Sequence, residues 1–193
     1  MRIFFEPSIP LLIFYLITVL WIVEFIIFPT KPKKTLINKE QPFTIVVGLI
    51  VFNIAFSVAL IRSGMFTLEN TSPALMRGTG LGVYAAGVLL RYTAAITRKN
   101  HHARHAKSET SMPLIAHGPY HALKHPSHLG LFLLVVGIPL FFANWMALII
   151  AAFSMFGVLN RRMKLEEKVL QSIWGETYRD WEVKRYRFLP FIY

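Results

Sequence analysis

Three stretches of this chain run apolar for about the twenty residues that a helix needs to cross a bilayer: Ser8 to Phe28, Phe43 to Ile61 and Leu75 to about Thr97. Hydrocarbon offers the backbone no hydrogen-bond partner, so each run is expected to be helical. The first has Glu24 as its one charge and stops at Phe28-Pro29-Thr30-Lys31-Pro32. It is longer than a signal-peptide core and lacks a small-residue cleavage site, so it reads as a retained span. The third is rich in small residues, Gly78, Gly80, Gly82, Ala85, Ala86 and Gly87. Further on, Leu129 to Ala143 and Trp145 to Leu159 are two shorter runs separated by Asn144, which suits a tight turn. They read as a helical hairpin, completed by Pro126 to His128 and Asn160 to Arg162. The expectation is therefore an all-α, polytopic membrane protein with about five spans. It forms a single domain over 1–193, with three spans in 1–97 and the chemistry in 98–193.

Composition supports this. Charged residues make up 16% of the chain and hydrophobic ones 54%, whereas an ordinary soluble domain carries roughly 25% charged residues. The absence of cysteine excludes disulfide scaffolds, thiolate metal sites and cysteine nucleophiles. The formal charge of +11 comes with a pattern. If the N-terminus lies outside, seventeen of the 21 basic residues fall in cytoplasmic segments, against Arg2, Arg62 and Arg77 outside and Arg91 within a span. Five crossings thus account for the basic excess, and nucleic acid is not needed as a partner.

All seven histidines lie between positions 101 and 128. His101, His102 and His105 fit a histidine box, as do His117, His121 and His125 at four-residue spacing, and imidazole is the commonest metal ligand. Pro119 and Pro126 would interrupt any helix carrying the second set. A plain cytoplasmic interface is one alternative, and a catalytic role without metal is the reading preferred here. A second constellation follows the hairpin, where Arg162 and Glu166 stand four apart and so share a helix face. On a surface such a pair is worth about 0–1 kcal/mol. At the inner end of a span, polar groups tend to be functional.

These residues resemble a known family. Leu90-Arg91-Tyr-Thr-Ala-Ala95, Asn100-His101, Lys107-Ser-Glu-Thr110, Leu114, Gly118-Pro-Tyr120, His125-Pro-Ser127 and Gly130 follow the order found in isoprenylcysteine carboxyl methyltransferases. So do Asn144, Arg162, Glu166-Glu167, Leu170, Trp174-Gly-Glu176, Tyr178 and Leu189-Pro-Phe-Ile192. The Gly-Pro-Tyr, His-Pro and Glu-Glu pieces are shared with a wider group that includes phospholipid N-methyltransferases.

The resemblance implies methylation by S-adenosylmethionine at the cytoplasmic membrane face, with no metal and no Rossmann domain. The cofactor would be held by His105, Met112, Pro113, Leu114, Ile115, Tyr120, His125, Pro126, Ser127, His128 and Glu166. Arg162 would grip the substrate carboxylate as the catalytic residue, with Glu167 beside it. The implied partners are a lipophilic small molecule or prenylated acceptor, and membrane lipid. Gly80-Leu-Gly82-Val-Tyr-Ala85 mimics a nucleotide-binding spacing, but it follows no strand, and its glycines better suit close helix packing. Three departures from the family stand out: Lys124 replaces an arginine, His128 a tyrosine, and Met112-Pro113 a more polar pair. The tail from Lys184 to Phe191 reads as an interfacial anchor, with Trp181, Tyr186 and Phe188 at headgroup depth. A phospholipid or amine N-methyltransferase, a histidine-box metal oxygenase and a non-enzymatic lipid-binding protein are the alternatives.

Overall fold

The computed structural model describes residues 9–28, 43–66, 73–105 and 114–188. Its elements are α1 (Ile9–Ile27), α2 (Phe43–Ser63), α3 (Pro73–His105), a 3₁₀ turn (Gly118–His121), α4 (Pro126–Phe141), α5 (Trp145–Trp174) and α6 (Glu176–Glu182). Among the described residues the only extended pairing is an isolated parallel bridge between Leu123 and Tyr186.

Five apolar helices occupy the five expected places. Three are long and apolar enough to cross a membrane, over Thr44–Ser63, Ala74–His101 and Trp145–Trp174. The apolar part of α1, Ile9–Glu24, and the whole of α4 are shorter. At 1.5 Å per residue, the 16 residues of α4 reach roughly 24 Å. Two helices run on beyond their apolar stretches, the second of them as the shared face of Arg162 and Glu166 required. α3 continues past Thr97 to His105, and α5 past Leu159 to Trp174. Hydropathy marks where a helix leaves hydrocarbon, whereas a helix once nucleated propagates into water at one hydrogen bond per residue.

The hairpin turn is set by Asn144. Its side-chain oxygen accepts from Ala147 N at 3.0 Å, capping α5, and its Nδ2 donates to Met65 O at 2.8 Å beyond α2. At the other end Pro126 opens α4, where a missing N–H costs nothing and the fixed φ already suits a helix.

α3 and α4 pack almost backbone to backbone. A Cβ at Gly80 would lie 2.2 Å from Phe141 N, and one at Gly87 would lie 2.8 Å from Gly130 O. Gly80 and Gly87 therefore serve packing, as expected of the glycine-rich run, whereas Gly78 and Gly82 face open space. Gly80→Ala should lower the thermal midpoint in detergent, since overpacking typically costs about 1–3 kcal/mol. Gly82→Ala should leave it unchanged or raise it. Equal effects at the two positions would mean that the α3–α4 contact is not the constraint.

Several polar groups inside the bundle are paired with one another. Arg91 Nε donates to Glu24 Oε2 at 2.6 Å, joining the charge of the first span to that of the third. Ser154 Oγ donates to Asn53 Oδ1 at 3.0 Å, and Tyr84 OH lies 3.0 Å from Thr18 Oγ1. Meanwhile Leu16, Phe52 and Phe153 remain exposed on outward faces, as suits helices surrounded by lipid.

Candidate active site

Following α4 back from Phe141 to Pro126, and α5 forward by a similar length, leads away from the Asn144 turn in the same direction and brings His125 opposite the 162–167 region. Arg162, Glu166 and Glu167 all lie on the uninterrupted α5. Arg162 Nε donates to Glu166 Oε1 at 3.1 Å, so the four-residue spacing does place the two on one face. Glu166 Oε2 lies 3.5 Å from His125 Nδ1, and its Oε1 lies 3.5 Å from His128 Nε2. Glu167, one residue on, reaches the other side of the same ring, with Oε1 3.1 Å from His125 Nε2.

His125 is buried, with one carboxylate at each ring nitrogen. Burial opposes the charged imidazolium. The carboxylates of Glu166 and Glu167 outweigh it, so the pKa stands above the usual 6.5. The main chain of His125 has a separate role: its carbonyl accepts from His128 N and Leu129 N, both at 3.1 Å, starting α4.

The connection before α4 is held from outside. Gly118, with φ of 59°, passes so close to α3 that a Cβ there would lie 2.7 Å from Thr97 Oγ1. Trp181 Nε1 donates to Ile115 O at 3.0 Å and Arg185 Nε to Tyr120 O at 2.8 Å. Lys124 Nζ pairs with Glu182 at 3.1 Å. The expected interfacial anchor is thus a strap across the connection. Phe188 is fully buried and Trp181 bonds to the protein, whereas Tyr186 stays exposed.

A cavity of about 240 Å³ opens between these elements, lined by Arg98, Ile115, Tyr120, Lys124, His125, Ser127, His128, Glu166 and Leu170. Six residues expected at a cofactor site therefore converge on it: Ile115, Tyr120, His125, Ser127, His128 and Glu166. Leu114 and Pro126 do not line it, and Pro126 is buried as the start of α4. Arg162 meets the cavity through Glu166, and Glu167 sits behind His125. Met112, Pro113 and the side chain of His105 lie outside the described residues.

The sequence reading missed Arg98, Lys124 and Leu170 as lining residues, and it missed Arg187, whose Nε donates to Glu167 Oε1 at 2.8 Å. Helical spacing from Glu166 would have found Leu170; no periodicity connects Arg187 to the site.

The second histidine box, the metal alternative to the preferred reading, does not form. His117 precedes the 3₁₀ turn, His121 ends it and His125 follows in non-helical backbone, so the second set shares no helix face. His101 is buried with its ring 5.8 Å from that of His117, and the side chains of His102 and His105 lie outside the described residues. A different trio, His125, His128 and Glu166, brings three ligand-type atoms within 4.8 Å of one another.

A family model described as phospholipid methyltransferase matches residues 75–177, more than half of the chain. The chain belongs to the phospholipid methyltransferase family. Within the family's reach, it is 29% identical over 168 residues to the protein-S-isoprenylcysteine O-methyltransferase of Mus musculus, covering 82% of this chain and 59% of that protein. The same figures hold for the Homo sapiens protein of that name. The Saccharomyces cerevisiae protein is 30% identical over 112 residues, or 54% of this chain and 46% of its own. The chain thus spans about 59% of the length of the mouse and human relatives. A solved eukaryotic intramembrane Ras methyltransferase, isoprenylcysteine carboxyl methyltransferase, superposes with a TM-score of 0.62 at 20% identity, covering 98% of this chain and 70% of that one. The resemblance read from the motifs is borne out at the level of the family, and the fold is that of an integral membrane protein.

Proposed function

We propose that this chain is an S-adenosylmethionine-dependent methyltransferase of the cytoplasmic membrane face, acting on the carboxylate of a lipophilic acceptor of the prenylcysteine type. The observation that carries the reading is the meeting of Arg162, Glu166 and His125 beside one cavity, where α5 leaves its apolar stretch.

The donor set suits the cofactor. Glu166 offers acceptor oxygens for ribose hydroxyls or an ammonium, Arg98 and Lys124 offer cations for a carboxylate, and Tyr120, Ile115 and Leu170 offer aromatic and apolar wall. When bound, the cofactor supplies a methyl group made electrophilic by its sulfonium. The protein's own part is placement. Arg162 presents a planar, permanently charged fork that matches a carboxylate. A carboxylate is already ionised at neutral pH, so no residue need remove a proton, and the rate would come from holding the reacting atoms in line.

An amphiphilic acceptor gives the membrane fold its purpose, since the site stands at the edge of an apolar bundle. Arg161, Lys164 and Lys168 are exposed along one stripe of α5 beside it. Such a stripe suits the cytoplasmic leaflet, and with five crossings the N-terminus would then lie outside. In this arrangement 1–97 supplies the first three spans and 98–193 the catalytic region.

Calorimetry on detergent-purified protein should show S-adenosylhomocysteine binding at a 1:1 ratio. Labelled S-adenosylmethionine with a farnesyl-cysteine analogue should then give a base-labile product, as a methyl ester must be. An alkali-stable label would move the reading to nitrogen transfer. Absence of binding together with stoichiometric iron would replace it with metal chemistry at the His125, His128 and Glu166 trio.

A further inference from the structure

Residues 183–188, which follow α6, are not helical, yet they are pinned on both sides of Arg187. Before it, Lys124 N donates to Tyr186 O at 2.8 Å and Tyr186 N donates to Ala122 O at 2.9 Å. After it, the buried ring of Phe188 packs against Phe132 of α4 and Phe156 of α5, with centroids 5.4 and 5.9 Å away. Between these anchors the Arg187 side chain is only 12% exposed. Its Nε donates to Glu167 Oε1 at 2.8 Å and its Nη1 donates to Asn160 Oδ1 at 3.1 Å. That same Glu167 oxygen is the one 3.1 Å from His125 Nε2. Arg187 does not line the cavity, so its route to the site runs through this shared oxygen.

We propose that Arg187 is a positioning residue, which by fixing the Glu167 carboxylate sets the His125 ring so that Nδ1 faces Glu166. A glutamate has three rotatable bonds, and a single imidazole contact leaves it free to swing. A guanidinium fork tied to both Glu167 and Asn160 removes that freedom from behind. A site held in this way keeps its geometry before any ligand arrives. The charged and titratable groups that face the ring or line the cavity beside it are Glu166, Glu167 and Arg162 from α5, His128 from α4, Tyr120 and Lys124 from the connection before α4, Arg98 from α3 and Arg187 from the tail.

The test compares Arg187→Gln, Arg187→Lys, Glu167→Gln and the double variant Arg187→Gln/Glu167→Gln. Two readings are taken in detergent: S-adenosylhomocysteine affinity, and the titration midpoint of His125 by ring-labelled NMR, assigned with His125→Asn. The binding reading rests on the cofactor assignment above, whereas the titration does not. Arg187→Gln should weaken binding by about tenfold and lower the His125 midpoint by about one unit, because a released Glu167 no longer holds the imidazolium against burial. Arg187→Lys should recover part of both losses. The double variant should be no worse than Glu167→Gln alone, since the two residues act through one contact. A His125 midpoint that stays or rises in Arg187→Gln would overturn the proposal, as would additive losses in the double variant. If Arg187→Gln does not fold, Arg187→Lys carries both readings. Wild-type protein that binds no S-adenosylhomocysteine would overturn the cofactor assignment, while the titration would still decide the role of Arg187.

Discussion

Arg162→Lys should lose about 100-fold in methyl transfer at saturating cofactor, equivalent to ~2.7 kcal/mol of transition-state stabilisation. The affinity for S-adenosylhomocysteine should change by less than about threefold, well under 1 kcal/mol. The reason is geometric. Arg162 Nε is engaged with Glu166 Oε1 at 3.1 Å, so the residue must hold that carboxylate with one edge while another edge meets the acceptor. A guanidinium has five N–H donors in a rigid plane and can address two carboxylates at once. A lysine ammonium is a single point on a flexible stem; it keeps the charge beside Glu166 but cannot span both partners. The two readings together decide the assignment. Equal loss of turnover and cofactor affinity would place Arg162 in the cofactor site, and unchanged turnover would remove it from the chemistry. Arg162→Ala is the less informative variant, because it also strips Glu166 of its neighbour on α5.

Both the part of this site that the sequence disclosed and the part it hid have physical causes. Arg162 and Glu166 were legible because a helix repeats every 3.6 residues, so a spacing of four implies one face once the segment is known to be helical. Pro126 marked the start of α4 for an equally local reason. His125 was singled out by its proline neighbour and by the family motif, yet nothing local says that it lies between two carboxylates. That arrangement needs α4 and α5 to run antiparallel from the Asn144 turn, with matching lengths between the turn and the site. Arg187 was hidden more completely. It lies 20 residues from Glu167 in sequence, beyond a second helix, and is aimed by the backbone pairing of Tyr186 and the burial of Phe188. A composition-based reading saw only aromatic and basic residues there, which is also what a membrane-interface tail looks like. The Glu24–Arg91 pair shows the same limit inside the bundle. Each charge was visible in its own span, but their contact depends on how α1 packs against α3.

Glu166→Gln should do the most damage, because the carboxylate serves three neighbours. It accepts from Arg162 Nε at 3.1 Å and stands 3.5 Å from both His125 Nδ1 and His128 Nε2. Removing one partner from a buried ionic cluster costs roughly 3–5 kcal/mol. The Glu166 side chain is 24% exposed, so solvent screens part of that, and about 2 kcal/mol is the expected loss. Cofactor affinity should fall by at least about tenfold, or ~1.4 kcal/mol, because the amide offers one oxygen and no negative charge. The stability loss should also depend on pH, and its sign follows from His125. Its folded pKa lies above the ordinary 6.5, raised by Glu166 and Glu167 against the opposing effect of burial. The stabilisation that the imidazolium gains from its carboxylates is therefore complete below about pH 6.5 and fades as pH rises through the higher folded value. The gap in thermal midpoint between wild type and Glu166→Gln should accordingly be widest at about pH 6 and should narrow as pH rises through the folded value of His125, while the Arg162 contribution persists. A gap that is constant across this range would mean that the imidazolium is not a partner of Glu166. Unchanged cofactor affinity would take Glu166 out of the binding site and leave it as the support of Arg162 alone.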